Sequence, residues 1–193
     1  MASLAGHFLV AGPTLVDPNF FRTVVLIVQH NDQGALGLVL NRPTTATVAD
    51  VWAKLAGEEG EEESESGSAD GVKLGVTGSI RHGGPCEGPL MVLHDEPAAG
   101  DLEIIPGLYF TTDRGKIEHL FQFHTSHALV FVGYSGWSAE QLESELASNS
   151  WLVAPAKATD PFDPAVTWGR LATRALLSPY VLPEQIPDDP SVN

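Results

Sequence analysis

The sequence predicts an α/β fold: a single compact domain with a mixed, largely antiparallel sheet and helices packed on its faces. Three observations carry that expectation. A chain of 193 residues, 43% of them hydrophobic, has the size and apolar content of one globular domain. Two β-branched runs, "RTVVLIVQH" and "ALGLVLNR", flank Asn31-Asp32-Gln33-Gly34, a loop with the length and chemistry of a hairpin turn. Helical stretches then occur singly between strand-like runs, which suits helices lying on a sheet and argues against a helix-turn-helix.

The elements follow in chain order. "HFLVA" opens as a strand and is followed by the loop "GPTLVDPNF". Both hairpin runs are apolar at consecutive positions, so their sheet is expected to be covered on both faces. "TVADVWAKLAG" reads as a helix capped by Thr47, with Asp50 in the first turn and Gly57 at the stop. "PLMVLHD", "LEII", "GLYFTT" and "HALVFVGY" read as strands. "TTDRGKIEHLFQF" is a short helix with Thr111 or Thr112 at its cap. In "SAEQLESELASN", Ser138 and Gln141 form a capping box, with Trp137 and Leu142 as the hydrophobic staple. "DPAVTWGRLATRALL" places Asp163 at a cap and Pro164 at the first position. Its Trp168, Leu171, Ala172, Ala175 and Leu176 form a core-facing stripe.

The domain is expected over residues 1–178, with a Pro-rich tail at 179–193. Within it, 57–71 carries seven acids and no base, too polar and self-repelling to offset the entropy of ordering, and is expected to be a disordered surface loop.

Charge excludes one class of function. The chain has 25 acidic and 10 basic residues, a net charge of -15, and loss of the seven acids of 57–71 leaves 18 against 10. The Lys and Arg residues are scattered. Nucleic-acid affinity rests on clustered cations neutralising phosphates, so direct binding is disfavoured. No apolar run approaches the roughly 18 residues of a membrane span. The start lacks the pattern of a secretory signal, and the lone cysteine forms no internal disulfide. A cytoplasmic protein is the expectation.

Few motifs carry chemistry. Cys86 in "RHGGPCEG" has Arg81 and His82 nearby, but Glu87 adjoins it. "GYSGW" resembles a nucleophile elbow at Ser135, yet Trp137 stands where glycine is required, and every histidine precedes the serine. His119, His124 and His127 lack the companions of a zinc site. Phosphate loops and dinucleotide fingerprints do not occur, and no metal or cofactor is called for.

What remains is "NRP" (41–43) and "HGGP" (82–85). Successive glycine N–H groups can cradle an anion, and a guanidinium can grip a carboxylate or phosphate. If the sheet joins these loops, Asn41, Arg42, Gly83 and Gly84 form a small polar pocket, with His30 and His94 as candidate neighbours. Two ordinary turns are the alternative.

Several motifs together resemble the AlgH/YqgE family of bacterial proteins. They are "HFLVAGPTLVDPNFFRTVVLIVQHNDQGALGLVLNRP", "GGP", "VLH" and "GYSGWSAEQLESELASNSWLVAPA", in that order over about residues 7–177. The resemblance implies one compact α/β unit and a regulatory role connected with transcription, with no established biochemical activity. Recurring family positions fall on Asp17, Pro18, His30, Gly34, Gly37, Asn41, Arg42, Pro43, Gly83, Gly84, Pro85, Gly133, Trp137, Gln141, Leu142, Glu145 and Trp151. By this resemblance, Cys86 stands where relatives usually carry an aliphatic residue.

Two functional expectations follow. The first is a non-enzymatic protein that binds a small anionic ligand or a protein partner. The second is an enzyme on a small anionic substrate, with Asn41, Arg42 and the Gly83-Gly84 loop holding the anion and His30 or His94 as acid/base.

Overall fold

The computed structural model describes residues 3–58, 74–123 and 127–177. The acidic segment beyond residue 58 and the Pro-rich tail lie outside these residues. The expected hairpin is β2 (Val24–Asn31) with β3 (Gly34–Val39), antiparallel, with Asn31 opposite Gly34. The Asn31 side chain accepts from the Gln33 N–H at 2.8 Å, the local bond that makes Asn a turn residue.

β1 (His7–Ala11) lies between β2 and β10 (Trp151–Pro155), antiparallel to both. On the other side β3 pairs with β9 (Ala128–Ser138), and the sheet continues through β6 (Cys86–His94), β8 (Leu108–Thr111) and β7 (Leu102–Ile105). A short pair, β4 (Pro43–Thr47) and β5 (Ser79–His82), joins β9 through a parallel β5–β9 contact. The sheet is therefore mixed but largely antiparallel. It curls until β7 returns to the entry of β1, where a side chain on Gly6 would overlap Ile105.

Alternation along the central strands serves two faces at once. Val24, Leu26 and Val28 join Phe8, Leu38, Leu93 and Phe131 in one cluster. Val25 and Ile27 join Leu9, Val39, Trp137 and Trp151 in another. This is the doubly covered hairpin expected from consecutive apolar positions. Each fully buried large apolar side chain contributes about 1.5–3 kcal/mol.

Four α-helices are present among the described residues: α1 (Val48–Glu58), α2 (Arg114–Gln122), α3 (Gln141–Ala147) and α4 (Trp168–Leu177). None is long and apolar enough to cross a membrane. α1 has the expected start: Thr47 Oγ1 accepts from Asp50 N, and Asp50 Oδ2 accepts from Thr47 N at 2.7 Å. α4 supplies Leu171 and Ala172 to the first cluster, and Trp168 Nε1 donates to Ala11 O at 2.8 Å.

Three helix starts differ from expectation. The cap of α2 is Asp113, which accepts from Lys116 N, because Thr111 is buried in β8 and donates its hydroxyl to Asp101. Ser138 ends β9, and α3 begins only at Gln141 after Glu140 takes a left-handed conformation; Gln141 Oε1 still accepts from Ser138 N at 3.0 Å. Asp163 closes a 3-10 turn at Asp160–Phe162, so α4 starts at Trp168.

Candidate functional site

One edge of β9 serves two strands. Its C-terminal half pairs with β3 as far as Gly37 opposite Ser135, and its N-terminal half pairs with β5 through Phe131 and Val132. Between these stretches β3 and β9 diverge, and Gly83 fills the fork. Its N–H donates to Val132 O at 2.9 Å, while its carbonyl accepts from Val39 N at 2.8 Å and from Ser135 Oγ at 3.2 Å.

The sequence is glycine here because nothing larger fits. A Cβ on Gly83 would overlap the Gly133 carbonyl oxygen, and one on Gly84 would overlap Ser135. Gly84 also has φ +154°, and Gly133 has φ +70°, both disfavoured for other residues.

The "NRP" loop is stitched to the same place. His82 N donates to Arg42 O at 2.8 Å. Asn41 Oδ1 accepts from Val24 N at 3.0 Å, and its Nδ2 donates to Arg22 O at 2.8 Å, so this amide fixes the turn entering β2. Arg42 Nη2 donates to Phe21 O at 2.6 Å, which fixes the guanidinium while leaving it without a carboxylate; among the described residues it makes no ion pair.

Two depressions flank the His82–Pro85 loop. One, of about 250 Å³, is lined by Arg42, His82, Gly84 and Pro85 together with Pro18, Asn19, Val39 and Pro43. The other, of about 340 Å³, shares His82, Gly84 and Pro85 and adds Cys86, Glu87 and Gly133. His82 is exposed between them. A forked sheet leaves a concavity where its strands part, and a concavity with a few convergent polar groups is the setting in which ligands bind.

The predicted residues therefore divide. Arg42 and Gly84 line the smaller depression, with Asn41 and Gly83 directly behind them as supports. His30 lies elsewhere: Leu4 N donates to its Nδ1 at 3.1 Å, and its Nε2 donates to Glu143 Oε1 at 2.8 Å. It borders a gap of about 370 Å³ between β2 and β7. His94 is fully buried, and its Nδ1 accepts from Glu96 N at 3.2 Å. Burial holds its pKa below the ordinary value of 6.5, against the pull of Asp95, Glu96 and Asp101.

Sequence reasoning left out His82 as a site residue, although it adjoins the glycine pair that marks the loop. It also left out Pro18 and Asn19, which reach the depression only through the fold. Ser135 is buried and donates to Gly83 O, a structural role. Glu145 is another such support, since its Oε2 accepts from Trp137 Nε1 at 2.9 Å and Trp151 Nε1 at 2.8 Å.

A family model described as AlgH-like matches residues 8–179. The chain belongs to the AlgH-like family. It is 39% identical over 159 residues to a UPF0301 protein of Stenotrophomonas maltophilia, covering 81% of this chain and 79% of that one. A UPF0301 protein of Streptomyces avermitilis is 37% identical over 201 residues, covering 100% and 97%. The solution structure of the AlgH protein from Pseudomonas aeruginosa superposes with a TM-score of 0.66 at 32% identity, covering 94% of this chain and 96% of that one. A crystal structure from Corynebacterium diphtheriae has the same TM-score at 21% identity and shares the fold. The AlgH-like match spans the fork and the hairpin, both of which lie within residues 8–179.

Proposed function

We propose that this AlgH-like chain is a cytoplasmic binding protein with a regulatory role, and that the fork receives an acidic group, phosphate or carboxylate, from a small ligand or a protein partner. One observation carries the reading. Two loops forty residues apart in sequence converge on one depression that holds a fixed guanidinium without a carboxylate partner and an exposed imidazole. In a chain of net charge -15, a cation left without an acid is the natural contact for an acid from outside. The overall charge supports regulation through a partner rather than through direct contact with nucleic acid.

Binding is favoured over catalysis by what surrounds the depression. Neither His30 nor His94 lines it, and Ser135 is occupied with Gly83. The test is a thermal-shift series with inorganic phosphate, pyrophosphate, citrate and nucleotides on the wild type, Arg42→Lys and His82→Ala. A ligand that binds only the folded state at a hundred times its Kd stabilises by about 2.7 kcal/mol. The reading expects one anion class to raise the wild-type Tm and to lose at least half that shift in both variants. Equal shifts in all three proteins, or none, would contradict it.

A further inference from the structure

His94 Nε2 is, among the described residues, the one buried side-chain polar atom without a hydrogen-bond partner. Its other nitrogen has a definite job. Because Nδ1 accepts from Glu96 N, the neutral ring carries its proton on Nε2, and that N–H meets no acceptor. The ring stacks on Tyr109 of β8, with centroids 6.0 Å apart, and sits opposite Ala128 of β9.

The Glu96 bond holds the first link of a chain of contacts. Glu96 Oε1 accepts from Ala98 N at 3.2 Å and so caps the 3-10 turn Pro97–Ala99. Gly100 O and Asp101 Oδ1 both accept from Lys116 Nζ of α2, at 2.9 and 2.6 Å. Asp101, Leu102 and Glu103 then line the 370 Å³ gap opposite Val28, Gln29 and His30.

The geometry points to a pH-operated latch: uptake of one proton by His94 Nδ1 from solvent releases the turn Glu96–Ala99, which is held at its two ends by Asp95 on His127 and Asp101 on Lys116, Thr111 and Phe110 O. An imidazolium carries hydrogens on both nitrogens, so Nδ1–H would face Glu96 N–H, donor against donor. The Glu96 amide then has no acceptor, and a charge stands in a buried site; movement of the segment relieves both.

The groups around the ring shape the response. Asp95 and Glu96 follow it in the chain, Asp101 lies beyond the turn, and Tyr109 covers it from β8. Lys116 on α2 is tied to Asp101, and His127 at the start of β9 is tied to Asp95 at 2.9 Å. The remaining charges of α2 are engaged locally, Arg114 with Glu118 and His119 with the Phe123 ring. The three carboxylates favour the imidazolium, while burial opposes it more strongly. The latch is therefore closed at neutral pH and opens as the pH falls below 6.5 toward the lowered His94 value.

The test is amide hydrogen exchange, read by mass spectrometry on the full chain from about pH 7.5 to about 5, alongside the imidazole titration of His94 by NMR. As the pH falls from about 6.5 toward the lower His94 midpoint, the open population of residues 96–99 rises by up to about tenfold per pH unit, after correction for intrinsic exchange, and levels off below it, while β2, β3 and β9 stay protected. His94→Asn, whose Oδ1 replaces Nδ1 as an acceptor that cannot titrate, abolishes the response. Glu96→Gln keeps the cap, removes one carboxylate near the ring, and moves the midpoint to lower pH. This second variant keeps the idea testable if His94→Asn fails to fold. Protection lost simultaneously across the sheet, or an unchanged midpoint in Glu96→Gln, would overturn the latch.

Discussion

The main chains of Arg42 and His82 are joined by a single 2.8 Å hydrogen bond from His82 N to Arg42 O. That bond brings the two loops together at the edge of β9 and turns a guanidinium and an imidazole toward one depression. The fork exists because Gly83 occupies the space where β3 leaves β9. Its consequences can be checked residue by residue.

Gly84→Ala should be among the most damaging small substitutions. The added methyl overlaps Ser135 and the Tyr134 main chain, and φ +154° is itself strained for alanine. Overpacking of this kind costs about 1–3 kcal/mol, with backbone strain added. Urea denaturation should show a loss of at least about 2 kcal/mol. A variant as stable as the wild type would mean the fork is looser than described.

Asn41→Ala should destabilise by about 2 kcal/mol, because it leaves the buried Val24 N–H without its acceptor and frees Arg22 O. Arg22 has φ +55°, so the turn it occupies depends on that amide. Asn41→Asp, which retains the acceptor but not the donor, should lose less. Paired denaturation curves decide the order.

Glu145→Ala removes the shared acceptor of two indoles and should cost about 2–3 kcal/mol, since hydrogen bonds to a charged group are worth about 1.5–3 kcal/mol and both donors are largely buried. Tryptophan fluorescence should report the change directly, because Trp137 and Trp151 also pack edge to face at 6.0 Å. Glu145→Gln should fall between the two, with one neutral oxygen serving both rings.

Stability should decline in two acid windows. His94 has its folded pKa below 6.5, so the unfolded chain takes up the proton first, and stability is lost as pH falls from about 6.5 toward the folded value. Asp101 works in the carboxylate range. Burial pushes its pKa up, but the Lys116 ion pair and the donors Thr111, Thr112 and Asp113 hold it well below 3.8. Its contribution is complete above that value and disappears as pH falls below it. His94→Asn should remove the first decline and Asp101→Asn the second in a plot of urea midpoint against pH.

The fold was legible wherever neighbours in sequence decide the structure. Asn31, which accepts from Gln33 N and faces Gly34, announces the hairpin, and Thr47 with Asp50 announces the start of α1, because these contacts lie within four residues. The misplaced starts of α2 and α3 arose where distant residues intervened. Asp101 takes the Thr111 hydroxyl, and the pairing of β9 with β3 holds Ser138 in a strand. The site was half legible for the same reason. Arg42 and the glycine pair carry their chemistry in the sequence, whereas pairings across the sheet decide that His30 meets Glu143 and His94 is buried. The one local sign at His82 is its place beside the glycine pair; only the fork brings it to the depression.

The most direct measurement for the central claim is a ¹H–¹⁵N NMR titration of the folded protein with pyrophosphate and, separately, citrate. The account predicts saturable shifts concentrated at Asn19, Arg42 and His82 to Gly84, much weakened in Arg42→Lys and in His82→Ala. Shifts that scatter over the surface without saturating, or that persist unchanged in both variants, would contradict an acid-binding site at the fork.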